Sequence, residues 1–179
     1  DGSLIPADIL IIGIGIIPNQ ELAENAGLDC NNGILVNDKG ITSDQSIFAC
    51  GDCTNHPNKF LNKNVRLESV QNALEQSKVV AANIMDQEEK YEVIPWFWSD
   101  QYNQKLQIVG MPEEYDEIVK REYADGFSLF YLSNKTIISV TTINNPKEFL
   151  ICKKLVEKKV KISSDILTKT ANDLNELVK

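Results

Sequence analysis

Residues 8–15 read Asp-Ile-Leu-Ile-Ile-Gly-Ile-Gly, and the apolar run extends over 9–17. Branched apolar side chains without polar alternation, closed by glycines, predict a strand buried on both faces of a parallel sheet. A chain built around such a strand has to be layered, with structure above and below it. The same run falls far short of the roughly 20 apolar residues that cross a bilayer, so no membrane span is expected. No basic segment precedes it, and no secretory or transit leader is expected either.

Punctuation after this run sets the remaining elements. Pro18 and Asn19 break the chain, and residues 21–27 read as a short helix stopped by Gly27. Residues 33–36 and 46–50 predict two further strands, the second ending at Gly51 and Asp52. Over residues 68–85 the apolar positions Ala73, Leu74, Val80, Ala81 and Ile84 recur at helical spacing and predict a long helix. Charged residues 86–90 read as a surface connection and place a domain boundary there. Beyond it, residues 106–111, 117–123, 127–132 and 135–142 predict four short strands in an antiparallel meander, separated by turn signals such as Asp125-Gly126 and Ser133-Asn134. Asn145-Pro146 opens a helix over 147–159. The lysines around its end, through Lys161, read as a solvated face that suits a helix C-terminus. A weaker helix is expected over 171–178. The fold class that results is α/β in the first half and a small α+β domain with an antiparallel sheet in the second.

Charge narrows the function. The chain carries 18 basic and 26 acidic side chains, a net −8, which repels a phosphate backbone. Residues 1–90 hold 6 of the basic and 13 of the acidic residues, so the acidity belongs to the first half and a nucleic-acid partner is excluded. Four cysteines without a regular spacing, in a chain with 42% apolar residues, fit a reducing compartment better than a disulfide scaffold. A cytoplasmic protein is expected.

The chemistry-bearing stretch is Ile47-Phe-Ala-Cys-Gly-Asp52. A small-residue element ending in Gly51 lets a ligand approach the backbone, and the carboxylate of Asp52 can accept hydrogen bonds from a hydroxylated ligand. The structural alternative is a turn in which Asp52 caps a neighbouring helix. Cys50 and Cys53 have the spacing of a redox pair, and His56 follows. A structural zinc site needs four ligands, however, and His56 is the only histidine. No metal is expected. A catalytic dithiol is disfavoured as well, since Asp52 stands between the two sulfurs and a carboxylate raises a thiol's pKa.

Four segments occur in one order: residues 7–19 around the apolar run; Thr42-Ser-Asp leading to Ile47–Asp52; Glu68-Ser-Val-Gln-Asn-Ala; and Trp96-Phe-Trp-Ser-Asp-Gln101. In this order the chain resembles, nearly end to end, the ferredoxin reductases of oxygenase systems, the putidaredoxin-reductase and rubredoxin-reductase group of the glutathione-reductase-like flavoproteins. The resemblance implies FAD as cofactor and NAD(P)H as co-substrate, with single electrons passed to a ferredoxin or rubredoxin-like iron–sulfur partner. It places Gly51 and Asp52 at the ribityl chain of FAD, Val70 at the isoalloxazine with Gln71 and Asn72 at a helix start, Trp98 beside the flavin, and Gly13 and Gly15 close to NAD(P)H. It implies no catalytic side chain and no active-site disulfide. A helix start there would favour negative charge on the reduced flavin. Trp96 and Trp98 also read as ordinary core or interface aromatics, and Gly13 and Gly15 as a tight strand exit.

Neither of the two Gly-x-Gly-x-x-Gly fingerprints of that group occurs here, since Gly13-Ile-Gly15 continues into Ile-Ile-Pro. The expectation is a C-terminal portion: residues 1–17 end an NAD(P)H-binding domain, 18–90 end an FAD-binding domain, and 91–179 form a whole interface domain. Such a portion is not expected to be catalytic alone. Two rival readings remain at this stage, a stand-alone interaction or dimerisation module, and a related flavoprotein of apoptosis-inducing-factor-like or nitrite-reductase type with a different acceptor. A homodimer is compatible with any of them.

Overall fold

The computed structural model describes residues 1–170 and 173–178. Its elements run α1 (Glu21–Asn25), β1 (Ile34–Leu35), β2 (Thr54–Asn58), β3 (Lys63–Val65), α2 (Val70–Ile84), β4 (Trp96–Gln101), β5 (Gln104–Gly110), β6 (Glu117–Tyr123), β7 (Gly126–Ser133), β8 (Thr136–Ile143), α3 (Pro146–Glu157) and α4 (Ser164–Thr168), with a 3-10 turn at Leu174–Leu177. The fold class is the one expected, α/β followed by α+β, but several elements differ in place.

In the first half, β1 pairs parallel to β2 and β2 antiparallel to β3. The expected strand over 8–15 does not form. Ile9, Leu10, Ile11, Ile14 and Ile17 stand exposed, because the described residues offer that segment no neighbouring strand to complete its hydrogen bonds. Residues 46–50 form no strand either; Phe48 makes only an isolated bridge to Ile41. The strand comes after Gly51 and Asp52, at β2, where Thr54, His56 and Asn58 alternate inward. The long helix is present as α2, but its inward face is Gln71, Asn72, Gln76 and Val80. Of the five positions read as its core stripe, Leu74, Ala81 and Ile84 lie outward. Polar partners on β2 for Gln76 and at Tyr91 for Asn72 account for two of these amides, since a buried amide persists where its hydrogen bonds are met. Gly40, at φ +78°, turns the chain directly under Val80. A Cβ there would lie 2.3 Å from Val80 Cγ2, so only glycine lets the turn close on the helix.

The second half carries the continuous hydrophobic core. Val109, Phe130, Leu132, Ile137 and Val140 from the sheet meet Phe149, Cys152 and Leu155 from α3, all at most 1% exposed. Asn145 caps α3 by accepting from the Glu148 amide at 3.3 Å, and Pro146 occupies its first turn. The five-stranded sheet has the order β4-β5-β8-β7-β6. This corrects the expected meander: β6, β7 and β8 follow one another, but β5 lies beside β8, the arrangement of a Greek key. Trp96–Gln101 adds an edge strand that its aromatic composition did not separate from a loop. Arg121, 2% exposed, ties the C-terminal segment to the sheet by donating to the carbonyls of Leu167 at 2.6 Å, Lys169 at 3.0 Å and Thr170 at 3.3 Å, while pairing with Glu148 at 3.4 Å. Of the helix expected over 171–178, residues 171 and 172 lie outside the described residues, and the rest holds the single 3-10 turn. No helix among the described residues is long and apolar enough to cross a membrane.

Candidate functional site

The site is built where the start of α2 meets the turn that carries Asp52. Ser69, extended at φ −149° and ψ 145°, accepts the Asn72 amide on its hydroxyl at 3.1 Å and starts the helix. Ser69, and not Asp52, is therefore the cap, which removes the capping alternative for Asp52. Helix geometry leaves the Val70 and Gln71 amides without an intrahelical acceptor, at the positive end of the helix dipole. Val70 is 57% exposed, so this end opens outward.

Behind it the polar side chains are buried. Asn72, fully buried, accepts from the Tyr91 hydroxyl at 2.9 Å and donates to the Leu67 carbonyl at 3.2 Å. Burial pushes the Tyr91 phenol up to about 12, so it remains a neutral donor. Neither side-chain amide atom of buried Gln71 has a hydrogen-bond partner among the described residues.

The turn is fastened to the helix by Gln76. Its Oε1 accepts the Gly51 amide at 2.7 Å and lies 3.0 Å from the Thr54 hydroxyl, whose other acceptor is the Gly51 carbonyl at 2.8 Å. Gly51 has φ +87°, and a Cβ built on it would meet only the Ala73 Cβ, at 4.0 Å. Its constraint is thus the left-handed backbone, and the space in front of it is open. Arg66 braces the other side, donating to the Asp52 carbonyl at 3.3 Å and to Asn32 at 3.2 Å and pairing with Glu68 at 2.8 Å. The Asp52 carboxylate itself is exposed and engaged by no hydrogen bond or ion pair among the described residues. Gly51, Asp52, Val70, Gln71 and Asn72 are therefore brought together.

Trp98 stands on β4, which packs against α2. Its ring is 41% exposed and stacks on Trp96 with centroids 5.4 Å apart and planes 29° apart. Trp96 in turn meets Phe149 at 5.7 Å and lies under the Lys153 ammonium at 4.4 Å. One lysine of the expected solvated face thus packs on an aromatic ring. Gly13 and Gly15 are not brought to this group; they sit on the exposed segment with nothing within 4 Å of a built Cβ. Sequence reasoning missed Gln76, Arg66 and Tyr91. The i, i+4 or i+5 recurrence of Gln71, Asn72 and Gln76 was the available signal, a polar stripe on the helix face opposite the apolar one.

Residues 1–77 match the family described as pyridine nucleotide-disulphide oxidoreductase, and residues 96–178 match the family described as reductase C-terminal. Putidaredoxin reductase of Pseudomonas putida is 41% identical over 99% of this chain. Rubredoxin-NAD(+) reductase of the same organism is 40% identical over 82% of it. The crystal structure of the covalent putidaredoxin reductase–putidaredoxin complex superposes with a TM-score of 0.92 at 41% identity, covering 99% of this chain. The chain belongs to the pyridine nucleotide-disulphide oxidoreductases, in the putidaredoxin reductase and rubredoxin reductase group. It spans 43% of the length of the first of these relatives and 38% of the second.

Proposed function

We propose that this chain forms part of an FAD-dependent NAD(P)H:ferredoxin reductase, which takes hydride from NAD(P)H and passes single electrons to a ferredoxin or rubredoxin-like iron–sulfur protein. The observation that carries the reading is the unengaged Asp52 carboxylate, fixed by Gln76 beside the open amide-bearing start of α2. This set fits a flavin nucleotide: a free acceptor for hydroxyl groups, two amide donors at a positive helix end, and open space at Gly51. When bound, FAD supplies the conversion of a two-electron hydride into single electrons.

The chain's own residues bind and tune. Asp52 holds ribityl hydroxyls. The Val70 and Gln71 amides, with the buried Gln71 side chain and Asn72 behind them, favour negative charge at the pyrimidine side of the ring system. Trp98 covers the flavin from water. Gly13 and Gly15 serve the NAD(P)H side within a complete sheet. Residues 1–17 end the NAD(P)H domain, 18–90 end the FAD domain and 91–179 form the interface domain. The cysteine usage supports a cytoplasmic location.

The test is anaerobic rapid mixing of the full-length protein with NADH or NADPH, followed by an oxidised rubredoxin or [2Fe–2S] ferredoxin. Bleaching of the flavin by the nicotinamide, then its return as the iron–sulfur protein is reduced, is expected. Flavin that is reduced but returns its electrons only to a disulfide would contradict the reading.

A further inference from the structure

We infer that Cys50 and Cys53 form a reversible intramolecular disulfide across the turn that carries Asp52. The two residues flank Gly51 and Asp52, and the turn is held by the Thr54 amide donating to the Gly51 carbonyl at 3.0 Å. Gly51 takes the left-handed φ of +87°, which curls Cys53 back over Cys50, and the Cys53 thiol donates to the Cys50 carbonyl with sulfur and oxygen 3.6 Å apart. Both cysteines are unpaired and half-buried, open to a small oxidant. Cys152 is fully buried in the second-half core, and burial holds its thiol well up, so it does not compete. Burial, and then the neighbouring Cys53, push the Cys50 thiol up, which disfavours Cys50 as the first attacking thiolate.

The chemistry balances with hydrogen peroxide as oxidant. The Cys53 thiolate attacks one peroxide oxygen, the O–O bond breaks, and a sulfenic acid forms with release of water after proton uptake. The Cys50 sulfur then attacks the sulfenyl sulfur, the S–O bond breaks, and a second water leaves. Two thiols are oxidised to one disulfide and one peroxide is reduced to two waters. A small dithiol reverses the bond by exchange. The pairing does not depend on the flavin reading, but its place does give it a consequence there: closing a ring over Gly51 and Asp52 alters the one turn whose carboxylate faces the proposed ribityl chain.

The test is peptide mapping of the full-length protein after brief peroxide treatment, with free thiols alkylated on unfolding. Trypsin cuts after Lys39 and Lys59, releasing residues 40–59, which contain Cys50 and Cys53 and no other cysteine. The expected product is that peptide lighter by two hydrogens, with both alkylation sites lost and both recovered by dithiothreitol. In Cys50→Ser the peptide is expected to carry sulfenic or higher acids at Cys53 and no internal link. Full alkylation of both cysteines after peroxide, mixed linkage to Cys30, or direct passage of the wild-type peptide to sulfinic acid would overturn the inference. So would a linked peptide that forms as fast in denaturant as in the folded protein. Flavin content measured on the same samples keeps the two readings apart: an internal link formed in a protein without FAD supports this inference and counts against the proposed cofactor.

Discussion

His56 gives the sharpest test of how the first half is held together. It is 1% exposed on β2, its ring meets Tyr91 edge-on at 5.1 Å, and neither ring nitrogen has a hydrogen-bond partner among the described residues. Burial pulls its pKa from 6.5 down to about 4, with a small opposing pull from the Thr54 backbone. The folded state therefore binds this proton less readily than the unfolded chain. The stabilising contribution of neutral His56 is fully present above about pH 6.5 and is lost as pH falls through the window from 6.5 to about 4. At 1.36 kcal/mol per pKa unit that window amounts to about 3 kcal/mol. The loss matters for the site because Thr54, two residues earlier on the same face of β2, lies against Gln76 and the Gly51 carbonyl. His56 is the only histidine in the chain, so the ring proton resonances of residues 1–179 titrate one group. Urea unfolding between pH 7 and 4 reads the stability directly, and His56→Phe, which keeps a ring against Tyr91 and removes two unpartnered nitrogens, should flatten that part of the profile. A ring titration centred near 6.5, or a Phe variant with the same acid sensitivity as the parent, would refute the reasoning.

Three further outcomes follow from the packing. Gln76→Leu strands the half-buried Gly51 amide and should lower stability by about 1–3 kcal/mol in urea unfolding, whereas Gln76→Glu keeps the acceptor oxygen and should cost less. Lys153→Met removes the ammonium 4.4 Å from the Trp96 ring; a loss of about 0.5–1 kcal/mol is expected, with a changed tryptophan emission that reports the Trp96–Trp98 stack. Phe149→Ala, at a position 1% exposed between α3 and the sheet, should destabilise the second half by about 3–5 kcal/mol, seen as a lowered melting temperature.

Local sequence pattern located α1, α2, α3 and four of the five strands of the second sheet, because helix stops, helical spacing and turn signals are carried by neighbouring residues. It failed where the partner is distant. The run at residues 8–15 has the composition of a doubly buried strand, yet composition carries no neighbouring strand, and here the segment is exposed. The stretch at 46–50 and β2 exchanged roles because Thr-Asn-His-Pro-Asn, with a proline and two asparagines, carries almost no strand signal. Its pairing comes from β1 and β3. Asp52, Val70, Gln71 and Asn72 were singled out as candidates by the motif order. Gln76 and Arg66 were not, since their roles are set by backbone groups far off in sequence. The crossing of β5 to β8 was hidden for the same reason: strand propensity does not encode strand order.

The proposed role of Asp52 is to anchor FAD at the start of α2. Its most direct test is the visible flavin absorbance of the full-length protein after exhaustive dialysis, compared with Asp52→Ala and Asp52→Asn. Removing the acceptor should weaken FAD binding by about 1–3 kcal/mol, a factor of roughly 5 to 150 in Kd, so the wild-type protein stays yellow while the alanine variant loses its flavin. Equal flavin retention in the wild type and both variants would contradict the account.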